Sequence, residues 1–243
     1  ATKPFGSLWD ILAILALSMG LIPLLIYVAF DCLLGAAPPT WPLEQIRMAM
    51  AVSAQEAAFF LLTWGVLRQG GQSLRAVGLG WHRPWLDVLW GVGLGVVCFA
   101  ISPLSEYVSR VLFTLFIDEN TVMQMLSREN MLASNLILVS QSRLLHFCLG
   151  GLVIVVAPVA EETFFRGYAY SLFKERWGTT TALFVNGLLF AAVHAYVIYF
   201  PSVFLLGFLL GLAYEWRKNL LTPIVAHGVM NLLVAVTVYC SYL

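Results

Sequence analysis

The stretch that decides the fold runs from residue 149 to residue 173 and reads LGGLVIVVAPVAEETFFRGYAYSLF. It is long and apolar enough to cross a bilayer as a helix, which takes about 20 residues. Within it stand the ionisable side chains of Glu161, Glu162 and Arg166. A charged side chain inside a membrane costs roughly 2.5–3.5 kcal/mol on insertion scales. The stretch therefore predicts a membrane-spanning helix that carries candidate functional residues.

The composition of the whole chain extends this prediction from one helix to the entire protein. Of 243 residues, 60% are hydrophobic and 11% are charged, and the mean hydropathy is +0.87. A soluble domain has about 25% charged residues, and a disordered chain combines low hydrophobicity with high charge, so both classes are excluded. Basic and acidic residues number 13 each, and no basic tract favours nucleic-acid binding. We predict an all-α, polytopic membrane bundle that forms a single domain over residues 1–243.

Seven apolar segments qualify as spans. We place them at 8–30, 45–66, 85–105, 149–173, 179–199, 201–216 and 220–243. Residues 106–148 are of mixed polarity and hold either an eighth span or a helix at the membrane interface, so we expect seven or eight spans. Residues 1–148 then form N-terminal spans and connectors, and residues 149–243 form a core that carries the polar motifs.

The distribution of Lys and Arg predicts the orientation, because cytoplasmic loops are enriched in them. In the seven-span arrangement four basic residues fall on one side and eight on the other, the larger group being Lys3, Arg68, Arg75, Arg83, Lys174, Arg176, Arg217 and Lys218. This predicts a cytoplasmic N-terminus. The first apolar run resembles a signal peptide but exceeds the usual length of its apolar part. We interpret it as a retained span, and Gly35-Ala36-Ala37 leaves cleavage as the alternative.

Helix spacing relates the ionisable residues to one another. Glu162 and Arg166 are four residues apart, so they share a helix face and are expected to form an ion pair. Glu161 is rotated by about 100° from Glu162. It stays available, and burial makes its carboxylate a stronger base. His227 and Asn231 are also four residues apart and point the same way.

Three helices are expected to bring polar side chains to one buried point. A rise of about 1.5 Å per residue from the basic anchors gives overlapping depths for Glu161, His194, His227 and Asn231. A carboxylate can take a proton from water, a histidine can orient that water, and an Asn amide can donate hydrogen bonds to an oxyanion. These types predict amide hydrolysis, and Pro158 is expected to open the helix and admit water. One Glu with two His is also a plausible zinc set, so the residue types leave metal dependence open.

The spacing of these residues resembles that of a known family. EETFFR (161–166) has two glutamates, three residues and an arginine; FAAVH (190–194) has Phe, three residues and His; HGVMN (227–231) has His, three residues and Asn. In this order the motifs resemble the CPBP (CAAX protease and bacteriocin-processing, or Abi) family of intramembrane glutamate proteases, which includes the CAAX prenyl endopeptidases. The resemblance covers about residues 158–231.

The resemblance implies a fold, a site and an activity. It implies a multi-helix membrane protein with a cavity open to the cytosol, acting without a metal or other cofactor. By motif position, Glu161 would activate water with His194, and His227 and Asn231 would form the oxyanion site. Glu162 and Arg166 would support these residues structurally.

Two hypotheses from different classes follow. The first is an integral-membrane endopeptidase, in a bacterial inner membrane, that cuts a membrane-associated or lipidated protein or peptide. The second is a non-proteolytic scaffold or accessory subunit of a larger membrane complex, surrounded like the first by membrane lipids, in which the polar residues serve only packing. A zinc-dependent protease remains a third interpretation.

Two features lie outside the motifs. Glu56 falls within the second predicted span, and the sequence indicates no partner for it. The GVGLG segment contains Gly91, Gly93 and Gly95 but follows no strand, so it is predicted to serve close helix packing and not nucleotide binding.

Overall fold

The computed structural model describes residues 6–34, 41–80, 83–138 and 143–241, and throughout these ranges the regular structure is helical. Lys3 and the Gly35-Ala36-Ala37 site lie outside these residues. The α-helices are α1 (Leu8–Leu15), α2 (Ile22–Leu34), α3 (Trp41–Gln69), α4 (Pro84–Thr114), α5 (Glu119–Leu138), α6 (Arg143–Gly151), α7 (Ala157–Glu162), α8 (Ser171–Val193), α9 (Phe200–Arg217) and α10 (Leu221–Cys240). Wider π-helical turns join α1 to α2, α6 to α7 and α7 to α8, at Ala16–Leu21, Leu152–Val156 and Thr163–Tyr170.

The described helices confirm a polytopic, all-α membrane protein. Five stretches are long and apolar enough to span a bilayer: Leu8–Leu33, Leu43–Gln69, Pro84–Thr114, Phe147–Val193 and Leu221–Cys240. The stretch Phe147–Val193 has 47 residues, about twice the length that one span needs. It bends at Gly178, whose φ of 78° and ψ of 170° are not helical, so it divides near the predicted boundary between the fourth and fifth spans.

Three predicted boundaries change. The predicted span 179–199 ends early, because α8 stops at Val193 and residues 194–199 form a loop. The predicted span 201–216 corresponds to α9, which is not among the five stretches of sufficient length and hydropathy. In the region 106–148, the described residues of α5 are not among the five stretches either.

Charged residues tie several helix ends together at one end of the bundle. Lys174 contacts Glu215 at 2.7 Å, and Arg217 of α9 contacts Asp87 of α4 at 2.6 Å. The backbone N–H of Leu220, just before α10, donates to the carbonyl of Gly78 at 2.9 Å. Much of the predicted basic side of the protein therefore lies at the same end of the helices.

The irregular helix before Glu161 has a local cause. Pro158 has no N–H, so the carbonyl of Ile154 cannot receive the usual bond from the residue four positions later. The helix widens over Leu152–Val156, and the N–H of Ala157 bonds to Leu152, five residues back. The neighbouring helix α10 approaches the widened turn closely, because a Cβ added to Gly228 would lie 2.6 Å from the Ile154 carbonyl oxygen.

Helices α4 and α10 approach each other through two of the three glycines of GVGLG. A Cβ on Gly95 would lie 2.6 Å from the carbonyl oxygen of Ala226, and a Cβ on Gly91 would lie 2.8 Å from that of Thr222. A Cβ on Gly93 would have nothing within 4 Å. The predicted packing role is thus confirmed for Gly91 and Gly95, whereas Gly93 faces open space.

Replacing Gly95 by Ala is expected to push α10 away from α4 and to lower the free energy of unfolding by about 1–3 kcal/mol, the usual cost of overpacking. The matched control is Gly93→Ala in the same helix, where the added methyl meets nothing. Thermal unfolding of the purified protein in detergent measures both changes. Equal stability of the two variants would contradict the close contact of α4 with α10.

Candidate active site

The three polar motifs converge around the ring of Phe190, which is fully buried. The centroid of this ring lies 4.6 Å from that of His194, 5.7 Å from that of His227 and 4.5 Å from the Arg166 guanidinium carbon. His194 follows the last residue of α8, and His227 lies on α10. The structure therefore brings His194, His227 and Arg166, one residue from each motif, around a single aromatic ring.

Glu162 and Arg166 form a buried ion pair. Arg166 Nη1 donates to Glu162 Oε1 at 2.7 Å, and neither side chain is exposed. Arg166 Nη2 donates to the carbonyl of Gly207 on α9 at 2.8 Å. Because a charge in a dry interior needs a partner and hydrogen bonds, this arrangement fixes the carboxylate and connects α7 to α9.

His227 extends this buried network to α10. Its Nδ1 lies 2.9 Å from Glu162 Oε1, the oxygen that also accepts from Arg166. Since a carboxylate facing Arg is ionised and only accepts, His227 Nδ1 carries the proton of this bond. Its Nε2 is then left for other partners.

Glu161 and His194 form a second and more accessible pair. Glu161 Oε2 and His194 Nε2 are 3.9 Å apart, and the side chains are 15% and 27% exposed. His194 Nδ1 lies 2.7 Å from the carbonyl of Phe190; a carbonyl can only accept, so Nδ1 carries a proton. In the neutral imidazole, the lone pair of Nε2 is therefore available on the side of Glu161.

The separation of 3.9 Å is too long for a direct hydrogen bond. It suits one water molecule that donates one hydrogen to Glu161 Oε2 and the other to His194 Nε2. Such a water presents an oxygen lone pair away from both residues. The geometry can therefore activate a water molecule for attack on a carbonyl group.

Asn231 contacts the widened turn that precedes Glu161. Its Nδ2 donates to the carbonyl of Val153 at 2.9 Å. This bond compensates for the disturbed helical hydrogen bonding near Pro158, as expected where neighbouring helices satisfy freed backbone groups. The amide nitrogen carries a second N–H beyond the one used in this bond.

The two histidines of the zinc interpretation have different carboxylate neighbours in the structure. In the described part of the chain, no three His, Cys, Asp or Glu side chains are placed to hold one metal ion. His227 is directed to an oxygen of Glu162 that already accepts from Arg166, while His194 is directed to Glu161.

Sequence reasoning missed a contact that holds the loop after His194. Both carboxylate oxygens of Glu129 on α5 accept backbone N–H bonds, from Val197 at 2.7 Å, Ile198 at 3.0 Å and Tyr199 at 3.0 Å. Glu129 thus caps the start of α9 from another helix. Burial and the nearby carboxylates of Glu106 and Glu129 raise the pKa of Tyr199, so its hydroxyl stays protonated as a donor. The one sign of this contact in the sequence is that Glu129, an acidic residue, lies in the segment of mixed polarity at 106–148.

The structure also provides a neighbour for Glu56, which had none in the sequence. Helix α3 packs against α7, and the ring of Phe59, three residues after Glu56, lies 5.2 Å from the ring of Phe164, three residues after Glu161. Glu56 is 2% exposed. A buried carboxyl group therefore lies on the helix that packs beside Glu161.

Comparisons with known proteins agree with the motif region. Residues 143–233 match the model of the type II CAAX prenyl endopeptidase Rce1-like family. The membrane-embedded CAAX protease MroQ of Staphylococcus aureus (strain USA300) is 33% identical over 85 residues, covering 32% of this chain and 34% of MroQ. The matched segment thus spans about a third of that relative. No solved structure matches the chain significantly.

Proposed function

We propose that this integral membrane protein, whose residues 143–233 match the Rce1-like CAAX prenyl endopeptidase family, is a glutamate-dependent endopeptidase. One observation carries the proposal: Glu161 Oε2 and His194 Nε2 face each other at 3.9 Å on the accessible side of a buried ion-pair network. This pair offers a base and an orienting group to the same water molecule. The buried residues beneath it keep both helices in position.

The hydrolytic step uses the water held between Glu161 and His194. Glu161 takes one proton as the water oxygen bonds to the peptide carbonyl carbon, which gives a tetrahedral intermediate. The free N–H of the Asn231 amide donates to the oxyanion. When the C–N bond breaks, the proton held by Glu161 passes to the leaving nitrogen, which makes an amine and a carboxylic acid.

His227 contributes to the oxyanion site under one condition. Its Nδ1 proton is committed to Glu162, so Nε2 donates to an oxyanion only when the imidazole is doubly protonated. The Glu162 carboxylate supports that positive charge. Glu162 and Arg166 therefore act on the reaction through His227, which agrees with a supporting role.

The substrate proposed is a membrane-associated or lipidated peptide or protein. All the proposed catalytic residues lie in or beside bilayer-length apolar helices, so a water-soluble chain would have to leave water to reach them. MroQ is by name a membrane-embedded CAAX protease, which supports this class of substrate.

Comparative proteomics of membrane peptides tests the proposal. Cells carry the wild-type protein or Glu161→Gln at equal expression, and new peptide termini are sought. We expect termini that occur only with the wild type, and these would also identify the substrate. No difference, with both forms in the same larger assembly, would reject the endopeptidase in favour of the scaffold alternative.

The orientation proposed places the N-terminus in the cytoplasm of a bacterial cell, with the protein in the inner membrane. Ala76 lies in the loop near the basic end, and Val197 lies in the loop just after His194. In a chain without its four native cysteines, we expect Val197→Cys to react with an impermeant maleimide in intact spheroplasts. Ala76→Cys should react only after permeabilisation. The reverse pattern would put the basic end outside and the His194 loop on the cytosolic side, and would contradict the proposed orientation.

A further inference from the structure

Four acidic side chains are buried in the described part of the chain: Glu56, Asp87, Glu129 and Glu162. Three of them contact an arginine or several N–H donors, as a buried ionised carboxylate requires. Asp87 contacts Arg217, Glu162 contacts Arg166, and Glu129 accepts three backbone N–H groups. An uncompensated charge in an apolar interior costs far more than a neutral group. The contacts of Glu56, the fourth residue, therefore decide its charge state.

Glu56 lacks such compensation. The hydrogen bond given to its carboxyl group is a long one, 3.3 Å from the amide of its neighbour Gln55 to Oε1. Its Oε2 is buried and has no hydrogen-bond partner among the described residues. Across the contact of α3 with α7, marked by the Phe59 and Phe164 rings, the neighbouring ionisable group is Glu161, whose carboxylate would repel a second negative charge. A carboxyl group in this position is stable only when it keeps its proton.

Glu161 offers an oxygen that can accept a hydrogen bond from Glu56 as well as one from the catalytic water, because a carboxylate oxygen carries two lone pairs. Its Oε2 is also buried and without a hydrogen-bond partner in the described residues, since His194 Nε2 is 3.9 Å away. A protonated carboxylic acid is a donor, and an ionised one is an acceptor. The two neighbouring carboxyl groups are therefore complementary when one proton is shared between them.

We propose that Glu56 is a positioning residue that stays protonated and donates a hydrogen bond, directly or through one water, to the carboxylate of Glu161. This inference rests on the proposed function of Glu161 as the base. The bond directs the Glu161 carboxylate and avoids repulsion between two negative charges. Glu161 is thus kept ionised beside His194, ready to take a proton from water.

Infrared spectroscopy of the reconstituted protein at neutral pH tests the protonation without any need for activity. We expect the C=O stretching band of a protonated carboxylic acid to be lost in Glu56→Gln. The same band should persist with a shifted frequency in Glu161→Gln, because the acceptor of the hydrogen bond changes from a carboxylate to an amide. A spectrum unchanged by Glu56→Gln would overturn the proposal.

Kinetics on a peptide identified by the proteomic comparison tests the positioning role. Glu56→Gln keeps a neutral donor and should retain kcat within about 5-fold, whereas Glu56→Leu keeps the volume but not the donor and should lower kcat by about 100-fold, with KM nearly unchanged. Equal loss in both variants would contradict donation by Glu56. If the wild-type protein cleaves nothing, the endopeptidase proposal fails, while the infrared result still decides the protonation of Glu56.

Discussion

Replacement of Glu161 by Gln is expected to lower kcat/KM for peptide cleavage by about 100- to 10,000-fold, the contribution of a positioned general base. The amide has nearly the shape of the carboxylate but cannot take a proton from water. Glu161 is also outside the buried ion pair, so the variant should reach the membrane and unfold at about the wild-type temperature. Cleavage of the identified peptide by purified, reconstituted protein measures the effect.

The matched control is Glu175→Gln, an equal change of charge at an exposed position on α8. It should leave the rate unchanged. The double variant Glu161→Gln with His194→Ala should be little worse than either single variant, because residues that act on one water are not additive. Full activity in Glu161→Gln would remove the proposed base, and independent additive losses would separate Glu161 from His194.

Local spacing explains why part of the site was accessible from sequence. Glu162 and Arg166 are separated by one helical turn, and the ion pair predicted from that spacing is present at 2.7 Å, although the helix widens after Glu162. The all-α membrane fold and the family resemblance are likewise confirmed. Each of these predictions depends on the spacing of residues within single helices or on the overall composition of the chain.

Contacts between distant helices were not accessible in the same way. The neighbourhood of Glu56 and Glu161 depends on how α3 packs against α7, and Glu129 caps a loop 68 residues further along the chain. Hydropathy gives the faces and depths of helices but not their order around the bundle. The contact of His227 with Glu162, 65 residues apart in the chain, was likewise not indicated by the sequence.

Helix ends were also uncertain because hydropathy continues past them. Residues 194–199 are apolar enough to extend a predicted span, yet the chain turns at Ala195, whose φ is 56°. The loop is held by side chains from α5, so its position is decided by tertiary contacts. His194 consequently lies at the end of a helix, with its side chain partly accessible, and not in the middle of a span.

Replacement of Arg166 by Ala is expected to have the largest effect on stability. It removes the cation from a carboxylate with no exposed surface, together with the bond to Gly207 and the packing on Phe190. Breaking a buried pair by removing one partner costs about 3–5 kcal/mol. Thermal unfolding in detergent should therefore show a much lower midpoint, and cleavage should fall because Glu162 no longer holds His227.

A double-variant comparison separates the buried charge from lost packing. Glu162→Gln combined with Arg166→Met removes both charges and keeps most of the volume, so it should recover a substantial part of the stability lost in Arg166→Ala. Arg176→Ala, an exposed arginine on α8, serves as the control and should change the unfolding midpoint little. If the double variant is no more stable than Arg166→Ala, the loss comes from packing alone. Recovery of stability without recovery of cleavage would instead show that the pair holds the fold in general and orients His227 in particular.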